Sequence, residues 1–207
     1  MSPEEFVRLL QMQRLSDSLH ENFYSFVGND DRSAKLKSDN LLQYLRRMQQ
    51  LNPHILLVGE APGYKGCKKT GIPFTSEYQI LHDDFFKEGF EVLDRENPEC
   101  ENSAKVMWQT IGSARNLPLM WNIYPFHPST KDGRNGKPNA DDIELGTKIL
   151  AALLSMFDIE NIYCVGRKSE SALKNHKMFS HLVRGYVRHP SHGGAIICKN
   201  ELEKILL

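Results

Sequence analysis

His54-Ile55-Leu56-Leu57-Val58-Gly59-Glu60-Ala61-Pro62-Gly63 begins as an unbroken apolar run and ends in a glycine-rich loop that carries one carboxylate. An apolar run of this length, bounded by turn residues, predicts a strand buried on both faces. Three further runs resemble it: 118–124, 161–166, and 182–188, the last less apolar and so placed at an edge. Helical patterns fall between them, over about 76–90, 103–115, 141–157 and 167–177, and again over about 195–206. Strands alternating with helices imply an α/β fold, a three-layer α/β/α arrangement around a central four-stranded, mostly parallel sheet. Ligands of such sheets sit beyond the carboxyl ends of the strands. Glu60, Asn122 and the segment His189-Pro190-Ser191-His192 all fall there.

Upstream, Ser2-Pro3-Glu4-Glu5 reads as a helix start with a capping serine, and Phe6, Leu9 and Leu10, then Leu15 and Leu19, form a rough apolar stripe. Residues 25–37 are polar and read as a loop. Ser38 is expected to cap a second helix that presents Leu41, Leu42, Leu45 and Met48 and ends at Asn52-Pro53. The expectation is one domain over 1–207, with residues 1–50 as a helical extension packed on it. Trp108, Trp121, Met107 and Met120 are assigned to the core.

The 207 residues are 40% hydrophobic and 25% charged, ordinary values for a globular domain. No apolar run is long enough to cross a membrane, and the first residues show no secretory pattern, so a cytoplasmic protein is expected. Cys67, Cys100, Cys164 and Cys198 are scattered without a C-x-x-C pair and read as free thiols. The net charge is zero, but the charge is segregated. Lys65, Lys68 and Lys69 lie in a segment without acids, as do Arg184, Arg188 and Lys199, whereas 77–101 holds nine acids and two bases. Such segregation can place a basic face on a neutral protein; solvated surface loops are the plain alternative.

The loop after the first strand is not a phosphate loop, because Gly66 is followed by Cys67 and no Gly-Lys-Ser/Thr occurs. A G-x-G-x-x-G fingerprint is also absent. On the residues alone, Glu60 either caps backbone N–H groups or faces a ligand. The plain readings of the other candidates are a turn residue for Asn122, a backbone-bonded strand end for His189 and a core side chain for Phe74. His189 and His192, with His181 and Cys198 nearby, have a spacing that could serve a metal. Pro190, however, prevents the helix that would aim both rings one way, and no metal or other cofactor is expected.

Gly59-Glu60-Ala61-Pro62-Gly63 followed by Gly71-Ile72-Pro73-Phe74, then Asn122 ahead of Pro125, then His189-Pro190-Ser191, resemble in order the motifs of the uracil-DNA glycosylase superfamily. The similarity is greatest to its family 4 and covers roughly residues 53–195. The resemblance implies a glycosylase that hydrolyses the N-glycosidic bond of uracil or a related deaminated base in DNA. Glu60 and His189 would be catalytic, and Phe74, Asn122, Gly59 and Ala61 would surround the flipped base. Pro62, Gly63, Lys68, Ser191, His192 and Gly193 would follow the DNA backbone. The chain departs from the family pattern in three places. It has no cysteine before Cys67, so the family's iron–sulfur site is not expected. Tyr64-Lys65-Gly66-Cys67-Lys68-Lys69 replaces an acidic stretch, and His192-Gly193-Gly194 stands where many relatives place a bulky apolar wedge. A monomer acting on single-stranded or mismatched DNA is expected, with loop 126–138, through Phe126, as another source of a wedge. The alternatives are a non-catalytic or differently specialised nucleic-acid binder of the same fold, and a small-molecule enzyme such as a nucleoside hydrolase on an unrelated α/β fold.

Overall fold

The computed structural model describes residues 1–27, 30–112, 114 and 116–206. Four strands form the central sheet: β2 (Ile55–Gly59), β3 (Leu119–Asn122), β5 (Asn161–Val165) and β6 (Val183–Val187), in the order β3-β2-β5-β6 with every pairing parallel. The less apolar run is indeed an edge. Helices flank the sheet: α1 (Pro3–Gln11), α2 (Asp31–Leu51), α5 (Asn102–Ile111), α6 (Ala140–Leu154), α7 (Arg167–Leu173) and α8 (Ala195–Leu206). Leu56, Leu57 and Val58 of the central strand are fully buried, as are Met107, Met120 and Trp121, and Trp108 is nearly so.

The first helix forms as its sequence dictates. The Ser2 hydroxyl accepts from the Glu5 N–H, and the Glu5 carboxylate accepts from the Ser2 N–H, closing a reciprocal cap. Its apolar side buries Phe6, Val7 and Leu10, and the Phe6 ring meets Trp121 of β3 edge-on at 5.4 Å. The stripe stops at Gln11: Leu19 lies beyond the helix and is exposed.

Three expectations fail for identifiable reasons. The second helix starts at Asp31, capped by Asp30, whose carboxylate accepts from the Ser33 N–H at 2.9 Å; Ser38 lies inside it. From Asp31 on, the polar stretch before Ser38 is the start of an amphipathic helix that buries Ala34, Leu36 and Lys37, so polarity was not a loop signal there. Within the expected loop, residues 28 and 29 lie outside the described residues, as do 113 and 115 of the helix expected over 103–115. The helix expected over 76–90 breaks into α4 (Glu77–His82) and a 3₁₀ turn (Asp84–Phe86). There Phe85, Phe86 and Phe90 turn inward around Trp108, a cluster that a straight helix could not close. Two short elements were not foreseen: α3 (Cys67–Thr70), inside the glycine-rich loop, and an antiparallel pair of β1 (His20–Glu21) with β4 (His127–Pro128).

The end of β3 is clamped from outside the sheet. The Tyr44 hydroxyl accepts from the edge N–H of Met120 at 2.9 Å. Gly146 of α6 lies against the strand's continuation: a Cβ there would fall 1.8 Å from the Ile123 carbonyl oxygen. The helix can approach only because no side chain intervenes. Gly146→Ala is therefore expected to destabilise the fold by about 1–3 kcal/mol, the usual cost of overpacking. Urea unfolding should show a lower midpoint with an unchanged slope, and an unchanged midpoint would contradict the close approach.

Candidate functional site

The parallel register sets Gly59 beside Asn122 at the carboxyl ends of neighbouring strands. The ladder continues past both: the Ile123 N–H donates to the Gly59 carbonyl at 2.9 Å and the Tyr124 N–H to the Glu60 carbonyl at 3.0 Å. His127 Nδ1 donates to the Pro62 carbonyl at 2.8 Å, and the Asn135 side chain accepts from the Tyr64 N–H at 2.9 Å. The chain following β3 thus holds the Glu60 loop at four successive points, which fixes where the carboxylate stands.

Gly59 is glycine because two side chains occupy its missing one. A Cβ there would lie 2.5 Å from the Phe74 ring and 2.8 Å from Asn122 Oδ1. Phe74 has a left-handed backbone, φ 53°, which is unusual for a bulky residue and costs of order 1–3 kcal/mol. Its surroundings hold it there: the Thr70 hydroxyl donates to the Thr75 carbonyl just beyond the turn, and the Tyr24 hydroxyl donates to the Gly71 carbonyl just before it. The strain turns the ring over Gly59 and beside Asn122.

The third element is the turn after β6. The Ser191 N–H donates to His189 Nδ1 at 3.2 Å, and the Ser191 hydroxyl lies 2.7 Å from the same nitrogen. Nδ1 is therefore an acceptor, and in the neutral ring the proton is assigned to Nε2. Burial, then the neighbouring His192 and Arg188, hold His189 below the usual histidine range, so the neutral form prevails. Burial raises Glu60 above the ordinary carboxylate range, a shift partly offset by Lys168 and Lys137.

These groups converge on one cavity of about 1030 Å³. Glu60, Ala61, Pro62, Gly63, Phe74, Asn122, His189, Ser191, His192 and Gly193 all line it, and Gly59 lies directly beneath Phe74 and Asn122. Lys68 is not brought to it; its ammonium pairs with Glu21 at 2.7 Å. The other basic residues singled out in the sequence are largely occupied as well. Lys65 pairs with Glu99 at 3.4 Å, Lys199 with Glu203 at 3.7 Å, and Arg184 donates to Asn161. The cations that do line the cavity are Lys105, at the start of α5, and Arg167 and Lys168, at the start of α7. Glu101 lines it too, its carboxyl raised by burial and opposed by a hydrogen bond from Ser103. Sequence reasoning missed Glu101 because it ends a long acidic run that reads as solvated surface. The α7 cations carried one unused signal, their place directly after a strand ending in glycine.

Phe126 is fully buried, so it cannot serve as a wedge. Ile196, on the first turn of α8, lines the cavity and is 75% exposed. The four cysteines are unpaired and lie apart in the fold, on α3, β5, α8 and the segment before α5. Among the described residues no three His, Cys, Asp or Glu side chains are grouped to hold a metal ion, so the cysteines do not fit a four-cysteine cluster.

The geometry can be compared with known proteins. The fold is similar to that of the crystal structure of wild-type Pedobacter heparinus SMUG2, with a TM-score of 0.67 at 12% identity, covering 99% of this chain and 97% of that one. No curated protein matches. The model of the uracil DNA glycosylase superfamily matches residues 47–203, a span that runs from the end of α2 through nearly all of α8 and contains Glu60, Phe74, Asn122 and His189. The chain belongs to the uracil-DNA glycosylase superfamily.

Proposed function

We propose that this protein is a DNA base-excision glycosylase that hydrolyses the N-glycosidic bond of uracil or a related deaminated base. The observation that carries this reading is the meeting of Glu60, Phe74, Asn122 and His189 in one cavity, each held by its own element. In the proposed reaction a base turned out of the strand stacks on Phe74, and Asn122 offers it one donor and one acceptor. The Glu60 carboxylate takes a proton from water as the water oxygen bonds C1′ and the bond from C1′ to the base breaks. The electron pair of that bond leaves with the base. His189 Nε2–H donates to the anion that forms, and the carboxylate offsets the positive charge on the sugar. A free base and an abasic site result. A neutral histidine suits this role, since it can donate while carrying no charge before the bond breaks.

The same site would take DNA through Lys105, Lys168 and the bare backbone of Gly193, next to which a side chain would meet nothing within 4 Å. Separating a base from its stack and partner costs least in a single strand or at a mismatch. We therefore propose that single-stranded and mismatched DNA are preferred, with Ile196 as the apolar group at the rim that helps to open a mismatched duplex.

Three outcomes test the reading. Glu60→Gln and His189→Ala should each slow excision from uracil-, hypoxanthine- or xanthine-containing oligonucleotides at least about tenfold while DNA binding persists, because both act on charge that develops in the transition state. Wild-type rates in both variants would place the chemistry elsewhere. The pH profile follows from Glu60. The reaction needs its ionised form, whose range burial has raised, so the rate should fall on acidification while still above the ordinary glutamate range. Glu60→Gln should lack that limb, and an unaltered limb would assign it to another group. For strand preference, uracil should be excised faster from a single strand or opposite guanine than opposite adenine. Ile196→Ala should slow the mismatch more than the single strand, and equal rates on all three substrates would contradict the preference.

A further inference from the structure

We infer that Glu101 is a further base-binding residue of this cavity: its carboxyl group, brought in at the start of α5 and set against the bare backbone of Gly63 and Gly66, hydrogen-bonds the base held there. The inference rests on reading the cavity as a base pocket. Glu101 takes no part in the proposed hydrolysis.

The position is built from both sides. The Glu101 N–H donates to the Ser76 hydroxyl at 3.2 Å, and its carbonyl accepts from the Lys105 N–H at 3.0 Å, so the backbone is anchored at the entry to the helix. The side chain runs back over the glycine-rich loop. A Cβ on Gly63 would fall 2.0 Å from Oε1, and one on Gly66 would fall 2.3 Å from Oε2. Both oxygens therefore lie where loop side chains would otherwise project, and the loop can accept them only because it has none at these two positions. Cys67, the next residue of the loop, lines the cavity beside them.

The chemistry of the group fits the place. An ionised carboxylate facing a DNA strand would meet phosphates of like charge, but burial favours the protonated form here. A neutral carboxyl group offers one O–H donor and one carbonyl acceptor, the same complement as the amide of Asn122. The cavity then presents two such groups from different elements, Asn122 from the sheet and Glu101 from α5. The exocyclic oxygens and ring N–H groups of uracil and hypoxanthine are partners for both.

The test compares two side chains of similar length, Glu101→Gln and Glu101→Met, in the full chain. Binding of free uracil and free hypoxanthine is followed by ligand-observed NMR, with unfolding temperatures measured alongside. Glutamine keeps a donor and an acceptor and should bind within about threefold of wild type. Methionine fills the space but forms no such bond and should bind at least about tenfold more weakly, the usual scale for a hydrogen bond lost in a buried site. Should methionine fail to fold, Glu101→Ala takes its place in the comparison. Wild-type affinity in the methionine variant would reduce Glu101 to filling space, and equal losses in both variants would remove the hydrogen-bonding role. A wild-type protein that binds neither base would overturn the inference outright. Excision is a separate readout. A protein that binds these bases but excises none from oligonucleotides would refute the catalytic reading and leave this one standing.

Discussion

The site depends on two backbone hydrogen bonds that carry the sheet ladder past the end of β3. Where β2 and β3 end, the ladder continues from Ile123 to Gly59 and from Tyr124 to Glu60. A carboxylate on a free loop would have to be ordered each time it engaged a ligand. Here the ordering is part of the sheet, so the entropy of fixing Glu60 is lost on folding and not again on binding. The outer supports serve the same two bonds. Gly146 lets α6 press on Ile123, and Tyr44 closes the open edge at Met120. Groups far from the cavity thereby determine where a carboxyl oxygen stands inside it.

The sheet was legible because its four strands are short apolar runs that no amphipathic helix resembles. Glu60, Asn122 and His189 were legible because each sits at the end of such a run, where an α/β sheet places its ligands. The misreadings share a cause. The start of α2 is polar in composition, yet it buries one stripe of Ala34, Leu36 and Lys37, and a stripe is visible only once the helix is already assumed. The basic face was read from neighbours along the chain, whereas charges pair across it. Lys68 finds Glu21 and Lys65 finds Glu99, partners 47 and 34 residues away that composition by segment cannot reveal. Glu101 was hidden in the same way, since the glycines its carboxyl packs against lie 38 and 35 residues earlier.

A neutral chain in a family that acts on DNA has to concentrate its positive charge. With 26 basic and 26 acidic residues there is no excess to spread over a surface. The structure places Lys105 and Lys168 at the first turns of two helices that face the cavity, beside Arg167, whose charge is paired with Glu170 at 2.6 Å. Helix N-termini already carry partial positive charge, and their unpaired N–H groups favour anions. A lysine placed there adds to a field that the backbone supplies without any net charge. Lys168 also acts on Glu60, partly offsetting the rise that burial imposes on it. The same side chain thus adds positive charge to the cavity lining and favours the ionised form of a carboxyl within it.

Three ionisable groups of the cavity, Glu60, Glu101 and His189, show how burial and neighbouring groups act together. Burial disfavours charge on all of them, but the consequence depends on what each group is. For His189 it keeps the ring neutral, and the Ser191 turn then directs its proton to Nε2. For Glu60 it raises the carboxyl only part of the way, because Lys168 and Lys137 act against it. For Glu101 burial raises the carboxyl as well, and the group opposing it is the Ser103 hydroxyl and not a cation. Burial therefore moves all three towards their uncharged forms, and the neighbours of each group set what opposes that shift: cations for Glu60, a hydroxyl for Glu101.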